Sequence, residues 1–382
     1  MESYISDKKN LYTTILEFLE ISEDDSDCTT KEQYFEKLSL LINQNVKDGD
    51  DSEWMHEFLE IIKCISDNHH RDPNFAQKTQ DLLQHYQNEI KQTMSNDSIF
   101  HLFADNKFLV HLLLKNDIIT MTDTICSEIM TKQELNGYCY CHFFYRELEN
   151  FLGEEKIQDV KKELLNMDPN VFDNYEEKCE EGENDKLICS LIRRDSVEEF
   201  IAYINRNGIS ISTKIAPSPF ETNSFLISQK SISLIEYSAF FGSIQIYQYL
   251  KMNGAELTPS LWLYAIHSKN AELIHILESD NVNPKSDDFD NEYLGFFIES
   301  IKCHHNDFAD YIETNFFIQE EKHSYEEAII CNSIKYHNYI YFETESVKKH
   351  GFFYLALYKY NKLADILLKE NEKEINLRLI KF

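Results

Sequence analysis

The 382-residue chain carries 67 acidic against 37 basic residues, a formal net charge of −30. That field repels nucleic-acid phosphates and anionic membrane surfaces on average and suits a basic protein partner. A hydrophobic content of 42%, with 22 Tyr and 26 Phe, supplies enough apolar surface to offset ordering entropy and excludes wholesale disorder.

The opening "MESYISDKKNLYTTILEFLE" has acids inside its apolar stretch and no small-residue cleavage site, so it does not read as a secretory signal. No window reaches the roughly 18 apolar residues needed to span a bilayer. Nine cysteines scattered from Cys28 to Cys331 form no disulfide-like framework and point to reduced thiols, with the cytoplasm as the default compartment. The tight basic clusters, Lys161-Lys162, Arg193-Arg194 and Lys348-Lys349-His350, are too small for a phosphate track.

With 9 Gly, 6 Pro and apolar spacings of three and four, the chain reads as all-α. Apolar stripes predict helices over Tyr34–Val46, Trp54–Ile65 and Ala76–Met94, with Pro73 in a first helical turn, where its missing N–H is harmless. "IFHLFADNKFLVHLLLKND" reads as two short helices broken near Asp105-Asn106. The acidic run "NYEEKCEEGEND", Asn174 to Asp185, is the clearest composition shift. It divides the expected domains: an N-terminal helical domain over 1–180 and a repeat array over 184–382.

Beyond that run the pattern repeats. "SIKCHHN" at Ser300 is echoed 33 residues later by "SIKYHN" at Ser333, the step of an ankyrin unit, in which a turn and two helices bury their apolar face only by stacking on neighbours. In "SLIEYSAFFGSIQIYQYLKMNG", Ser238 and Ala239 let helices approach, Gly242 and Gly254 suit positive φ, and Ile246, Tyr247, Tyr249 and Leu250 supply a second core face. "TPSLWLYAIHSKNAELIHILES" is the next unit. "IESIKCHHNDFADYIE", "EEAIICNSIKYHNYIYFE" and "FFYLALYKYNKLADILLKE" follow, and "DKLICSLIRRDSVEEFIAYINRNGI" precedes as a degenerate first one. The array has five to six partly degenerate repeats.

The stretches "LICSLIRRDSVEEFIAYINRNGISISTKIAPSPFETNSFL", "SLIEYSAFFGSIQIYQYLKMNGAELTPSLWLYAIHSKNAELIHILE" and "ESIKCHHNDFADYIE" resemble a large family of uncharacterised protozoan ankyrin proteins in which a helical domain of unknown function precedes the repeats. The likeness is strongest over 184–313. It implies an ankyrin solenoid and protein binding, and it brings no catalytic residues. The chain lacks a full "TPLHxAA" box.

Metal and catalytic signals are weak. Cys139, Cys141 and His142 in "GYCYCHFF" form the most metal-like cluster, but Cys-x-Cys lacks the usual zinc spacer and no second pair stands nearby, so they read as core. "KCHHND" (Cys303, His304, His305) occupies an inter-helix turn where consecutive side chains diverge. "SDDFDNE" and "EDDSDC" lack the ligand pattern of a calcium loop. No phosphate loop, nucleophile elbow or HExxH helix occurs.

The expected function is therefore a non-enzymatic protein-interaction scaffold without cofactor, metal or catalytic residue. Its partner-binding positions fall on the first helices of the units: Tyr237, Phe240, Phe241, Tyr264, His267 and Lys302, where aromatic anchors bury large area at small entropic cost. The rivals are self-association through the apolar ending "INLRLIKF" and a metal-binding or enzymatic centre at Cys139, Cys141 and His142.

Overall fold

The computed structural model describes residues 1–21, 28–46, 51–71, 73–135, 137–282, 293–317 and 322–380; the side chains of 28–29, 44–46, 51–53, 322–324 and 371–380 are outside the description. Regular structure among these residues is helical, with two isolated antiparallel bridges, Gln133 to Cys139 and Lys214 to Ser233. None of the helices is long and apolar enough to cross a membrane. The acidic loops "SDDFDNE" and "EDDSDC" and the side chains of "INLRLIKF" lie outside the described residues.

Local chemistry sets the helix limits. Pro73 opens the helix Pro73–His85, and the stretch expected to continue to Met94 breaks at Tyr86 before resuming as Gln87–Thr93. Asn96–Phe103 and Lys107–Lys115 are separate helices because Asn106 accepts a hydrogen bond from the Leu109 amide and caps the second. Ser233 and Glu236 form a reciprocal capping box that starts Leu234–Phe240.

Contacts group the chain into two units, residues 1–65 with 284–382, and residues 66–283. The acidic run lies inside the second unit rather than between units. Its helix Tyr175–Glu181 buries Tyr175 and Cys179, four residues apart on one face, while its glutamates face out.

Each unit contains short helices joined by one recurring turn. In the second unit the pairs are Leu187–Arg193 with Val197–Asn207, Leu234–Phe240 with Ile244–Met252, and Leu261–Ser268 with Ala271–Ser279. In the first, Leu294–Lys302 pairs with Asn306–Phe316 and Phe352–Leu357 with Asn361–Ile380. Lys322–Lys335 is followed by a 3-10 turn at Tyr339–Tyr341 instead of a full second helix.

The first helices end in a left-handed residue: Asp195, Gly242, Lys269, His304, His337 or Lys359. At five of these the next amide bonds back five residues, as Ser243 does to the Ser238 carbonyl, His305 to Ser300 and Asn338 to Ser333, whereas after Lys269 the Asn270 amide donates to Ser268 Oγ. His304 and His337, matched by the 33-residue echo, thus occupy the same turn position. Gly242 has the strictest requirement, since at φ +66° an added Cβ would also come within 3.2 Å of Asn270.

Side chains in these turns reach back to the preceding turn. Ser243 Oγ donates to the Ile192 carbonyl at 2.6 Å and Asn270 Nδ2 to that of Gly242 at 3.3 Å. In the first unit Asn338 Nδ2 donates to the Ile301 carbonyl at 3.0 Å and the Tyr360 hydroxyl to that of Ile334 at 2.9 Å. Consecutive turns are held in register by side-chain donors on backbone acceptors.

The first unit also buries a charge. Lys8, 1% exposed, is ion-paired with Glu57 and lies 3.1 Å from the Trp54 ring centroid, while the Tyr339 hydroxyl donates to the other Glu57 oxygen. Such a pair is tolerated in a core only with its remaining polar valences satisfied.

Candidate functional site

A cavity of about 820 Å³ opens in the second unit between the helices Pro73–His85, Lys107–Lys115, Tyr175–Glu181 and Leu187–Arg193. Its position follows from three local devices. Asn106, besides capping Lys107–Lys115, donates through Nδ2 to Asp67 Oδ1 at 2.7 Å. Gly182 ends the acidic helix at φ +63°, where a Cβ would meet Thr222 Oγ1 at 3.0 Å. Thr222 in turn bonds the Gly182 carbonyl through both its amide and its hydroxyl, fixing the direction in which Glu183 leaves the helix.

Arg71 anchors the floor. Its guanidinium donates to Thr222 Oγ1 at 2.9 Å and to the carbonyls of Thr222, His69 and Ser66, and it covers the Phe108 ring at 4.8 Å. Its amide donates to Glu183 Oε1 at 3.0 Å. Arg193 is likewise committed, to the Asn184 carbonyl at 2.8 Å and the Tyr237 hydroxyl at 3.1 Å. Both cations serve the scaffold.

Glu183 is 5% exposed. Burial, followed by the neighbouring Glu221 carboxylate, pushes it up to about 8, against the opposing pull of Arg193 and Arg71. Burial also raises Glu221, whose Oε1 accepts from the Asn223 amide. His70 is pushed down to about 3, first by burial and then by His69 and His267, so it is a neutral imidazole at physiological pH.

Three polar atoms on this cavity's lining are buried without a hydrogen-bond partner among the described residues: Glu183 Oε2, His70 Nε2 and His111 Nε2. Native interiors rarely leave such atoms unpaired, and three around one cavity make it a candidate binding site. His111 Nδ1 lies 3.1 Å from Glu147 Oε1, which orients the ring. Phe108 and Phe241 supply apolar wall, and Glu177, Glu180 and Glu181 stand at the rim.

The expected partner-binding residues are placed differently from an open concave face. Tyr237, Phe240, Tyr264 and His267 are buried, Tyr237 to 1% exposure, and offer almost no area to a partner. Tyr237 packs on Phe241 at 4.9 Å and accepts from Arg193; for Phe240, Tyr264 and His267 the physical reason is an insertion between the first two helix pairs whose short helix Ser224–Ser228 brings Phe225 over them. Phe225 stacks on Phe240 at 5.8 Å, meets Tyr264 edge-on at 5.0 Å and lies 4.0 Å from His267. Phe241 is half-buried and lines the cavity. Lys302 belongs to the first unit, half-buried with Nζ 2.8 Å from Glu299 Oε1.

Cys139, Cys141 and His142 do converge, with one donor atom of each within 4.8 Å of the others. Both imidazole nitrogens are occupied, however. Nδ1 accepts from the Cys139 amide at 3.0 Å as a helix cap, and Nε2 faces Glu163 at 3.3 Å. Burial pushes the Cys141 thiol up to about 12. Cys303 is buried, and His304 Nδ1 pairs with the Tyr12 hydroxyl at 3.0 Å.

Sequence reasoning missed Arg71, His70, His111 and Glu183. No family model, curated protein or solved structure matches the chain.

Proposed function

We propose that this protein is a non-enzymatic protein-interaction module that receives a basic side chain of its partner in the cavity of the second unit. The observation that carries the reading is the set of three buried, unpaired atoms, Glu183 Oε2, His70 Nε2 and His111 Nε2, on one lining. A lysine ammonium or arginine guanidinium supplies several donors, displaces the Glu183 proton and meets the carboxylate so formed, and its aliphatic stem packs on Phe108 and Phe241. The rim glutamates and the net charge of −30 add attraction at long range. The helix pairs with left-handed turns favour an ankyrin-like stack as the scaffold. Among the described residues it has no β-hairpin finger, and the cavity is lined by helices.

The test is calorimetric titration with short lysine- or arginine-containing peptides against neutral and acidic ones of equal length. Basic peptides bind with an affinity that falls as salt rises, and Glu183→Gln weakens them roughly tenfold or more, the scale of losing a charge-assisted hydrogen bond. Equal binding of acidic peptides, or no effect of Glu183→Gln, removes the reading.

Self-association is a second reading, favoured by Phe353 and Leu357, 66% and 55% exposed on the helix Phe352–Leu357. A molar mass by light scattering that stays monomeric from low to high concentration counts against it.

A further inference from the structure

We propose that Glu60, Cys64 and His337 form a binding site for a divalent transition-metal ion of the zinc type in the first unit. Glu60 and Cys64 lie four residues apart on the helix Asp51–Asn68 and so share a face. His337 arrives from the left-handed turn after Lys322–Lys335. One donor atom from each lies within 4.8 Å of the other two. Carboxylate, thiolate and imidazole together are the donor set that zinc accepts in tetrahedral sites.

Availability separates this cluster from the one at Cys139, Cys141 and His142, where both imidazole nitrogens are engaged. His337 Nδ1 is buried without a hydrogen-bond partner among the described residues, and Nε2 stands 4.0 Å from Glu60 Oε2, beyond hydrogen-bond range. The ring is held by stacking on Tyr360 at 5.0 Å, so it is oriented without using its lone pairs.

His56 completes the pattern four residues before Glu60, with Nε2 3.6 Å from Glu60 Oε1. It is placed to orient the carboxylate as an outer partner, the role that second-layer groups play around metal ligands. The spacing His56, Glu60, Cys64 is therefore one stripe of a helix aimed at one imidazole.

The test is equilibrium dialysis of the full chain against Zn²⁺ with elemental analysis, together with Co²⁺ titration read by absorption. The intact chain takes up one ion, and Co²⁺ gives a thiolate charge-transfer band. Cys64→Ser abolishes that band, and His337→Asn, chosen because asparagine tolerates the left-handed backbone, weakens binding at least tenfold, since loss of even an outer partner costs about 10–100-fold. Thermal unfolding in chelator confirms that each variant folds. Absence of saturable uptake by the intact chain overturns the assignment, as does unchanged uptake in both folded variants. A Co²⁺ band lost in Cys141→Ser but kept in Cys64→Ser also overturns it.

Discussion

The backbone amide of Arg71 donates to Glu183 Oε1 at 3.0 Å, which leaves Oε2 of the same carboxyl buried and unpaired at the cavity. One oxygen is held by the scaffold and the other is not.

This division predicts a pH-dependent stability. The folded-state value of about 8 lies above the ordinary 4.5, so the fold holds the proton more tightly than the unfolded chain does. The stability from this group is fully present below 4.5 and is lost as pH rises to about 8. Glu183→Gln keeps an oxygen for the Arg71 amide and removes that loss. Urea unfolding at pH 5 and pH 8 will show a gain for the variant over the wild type at the higher pH, on the order of a few kcal/mol, and little slope of its own from this position.

The recurring turns predict opposite effects of the same chemistry. Gly242→Ala meets both a positive φ and Asn270, and costs about 1–2 kcal/mol or more in chemical denaturation. Lys359, exposed at φ 64°, occupies the equivalent place with a side chain, so Lys359→Gly stabilises by about 0.5–1 kcal/mol. A loss of stability in Lys359→Gly would show that the turn is not strained there.

The reach of one turn to the next predicts a contrast between two asparagines. Asn338 is fully buried and donates to the Ile301 carbonyl and to Asn306 Oδ1, so Asn338→Ala costs about 1–3 kcal/mol. Asn253 donates only within its own helix, to the Tyr249 carbonyl, and Asn253→Ala stays within about 0.5 kcal/mol. Denaturation midpoints at constant slope measure both.

The Lys8 and Glu57 pair predicts non-additivity. Glu57→Gln strands a buried ammonium and costs about 3–5 kcal/mol. Adding Lys8→Met removes the stranded charge, so the double variant recovers a large part of the loss. A double-mutant cycle with no coupling energy would contradict the buried pair.

Much of the helical plan was legible in the chain. Pro73, the break at Asp105-Asn106, the Ser233 start and the Gly242 turn are local signals, and local backbone chemistry decides them. The echo of "SIKCHHN" in "SIKYHN" is matched by left-handed residues at His304 and His337. The site was not legible, because Arg71 and Thr222 are 151 residues apart and only tertiary packing joins them. Glu183 was hidden in an acidic run that reads as solvated; the clue was Gly182, a helix stop directly before it. The aromatic first helices gave no warning of Phe225, since periodicity marks a buried face without naming what covers it. His56, Glu60 and Cys64 stood at helical spacing in plain view, but their partner His337 lies far downstream.

The side-chain bonds between successive turns have a polarity. Ser243, Asn270, Asn338 and Tyr360 all reach toward the N-terminal neighbour, and what they find there is a carbonyl. Removing a later helix pair exposes a carbonyl that water readily satisfies, whereas removing an earlier one strands a donor on the pair that remains. Within each unit the stack can therefore be shortened from its C-terminal side more readily than from its N-terminal side, and growth by duplication has a preferred end.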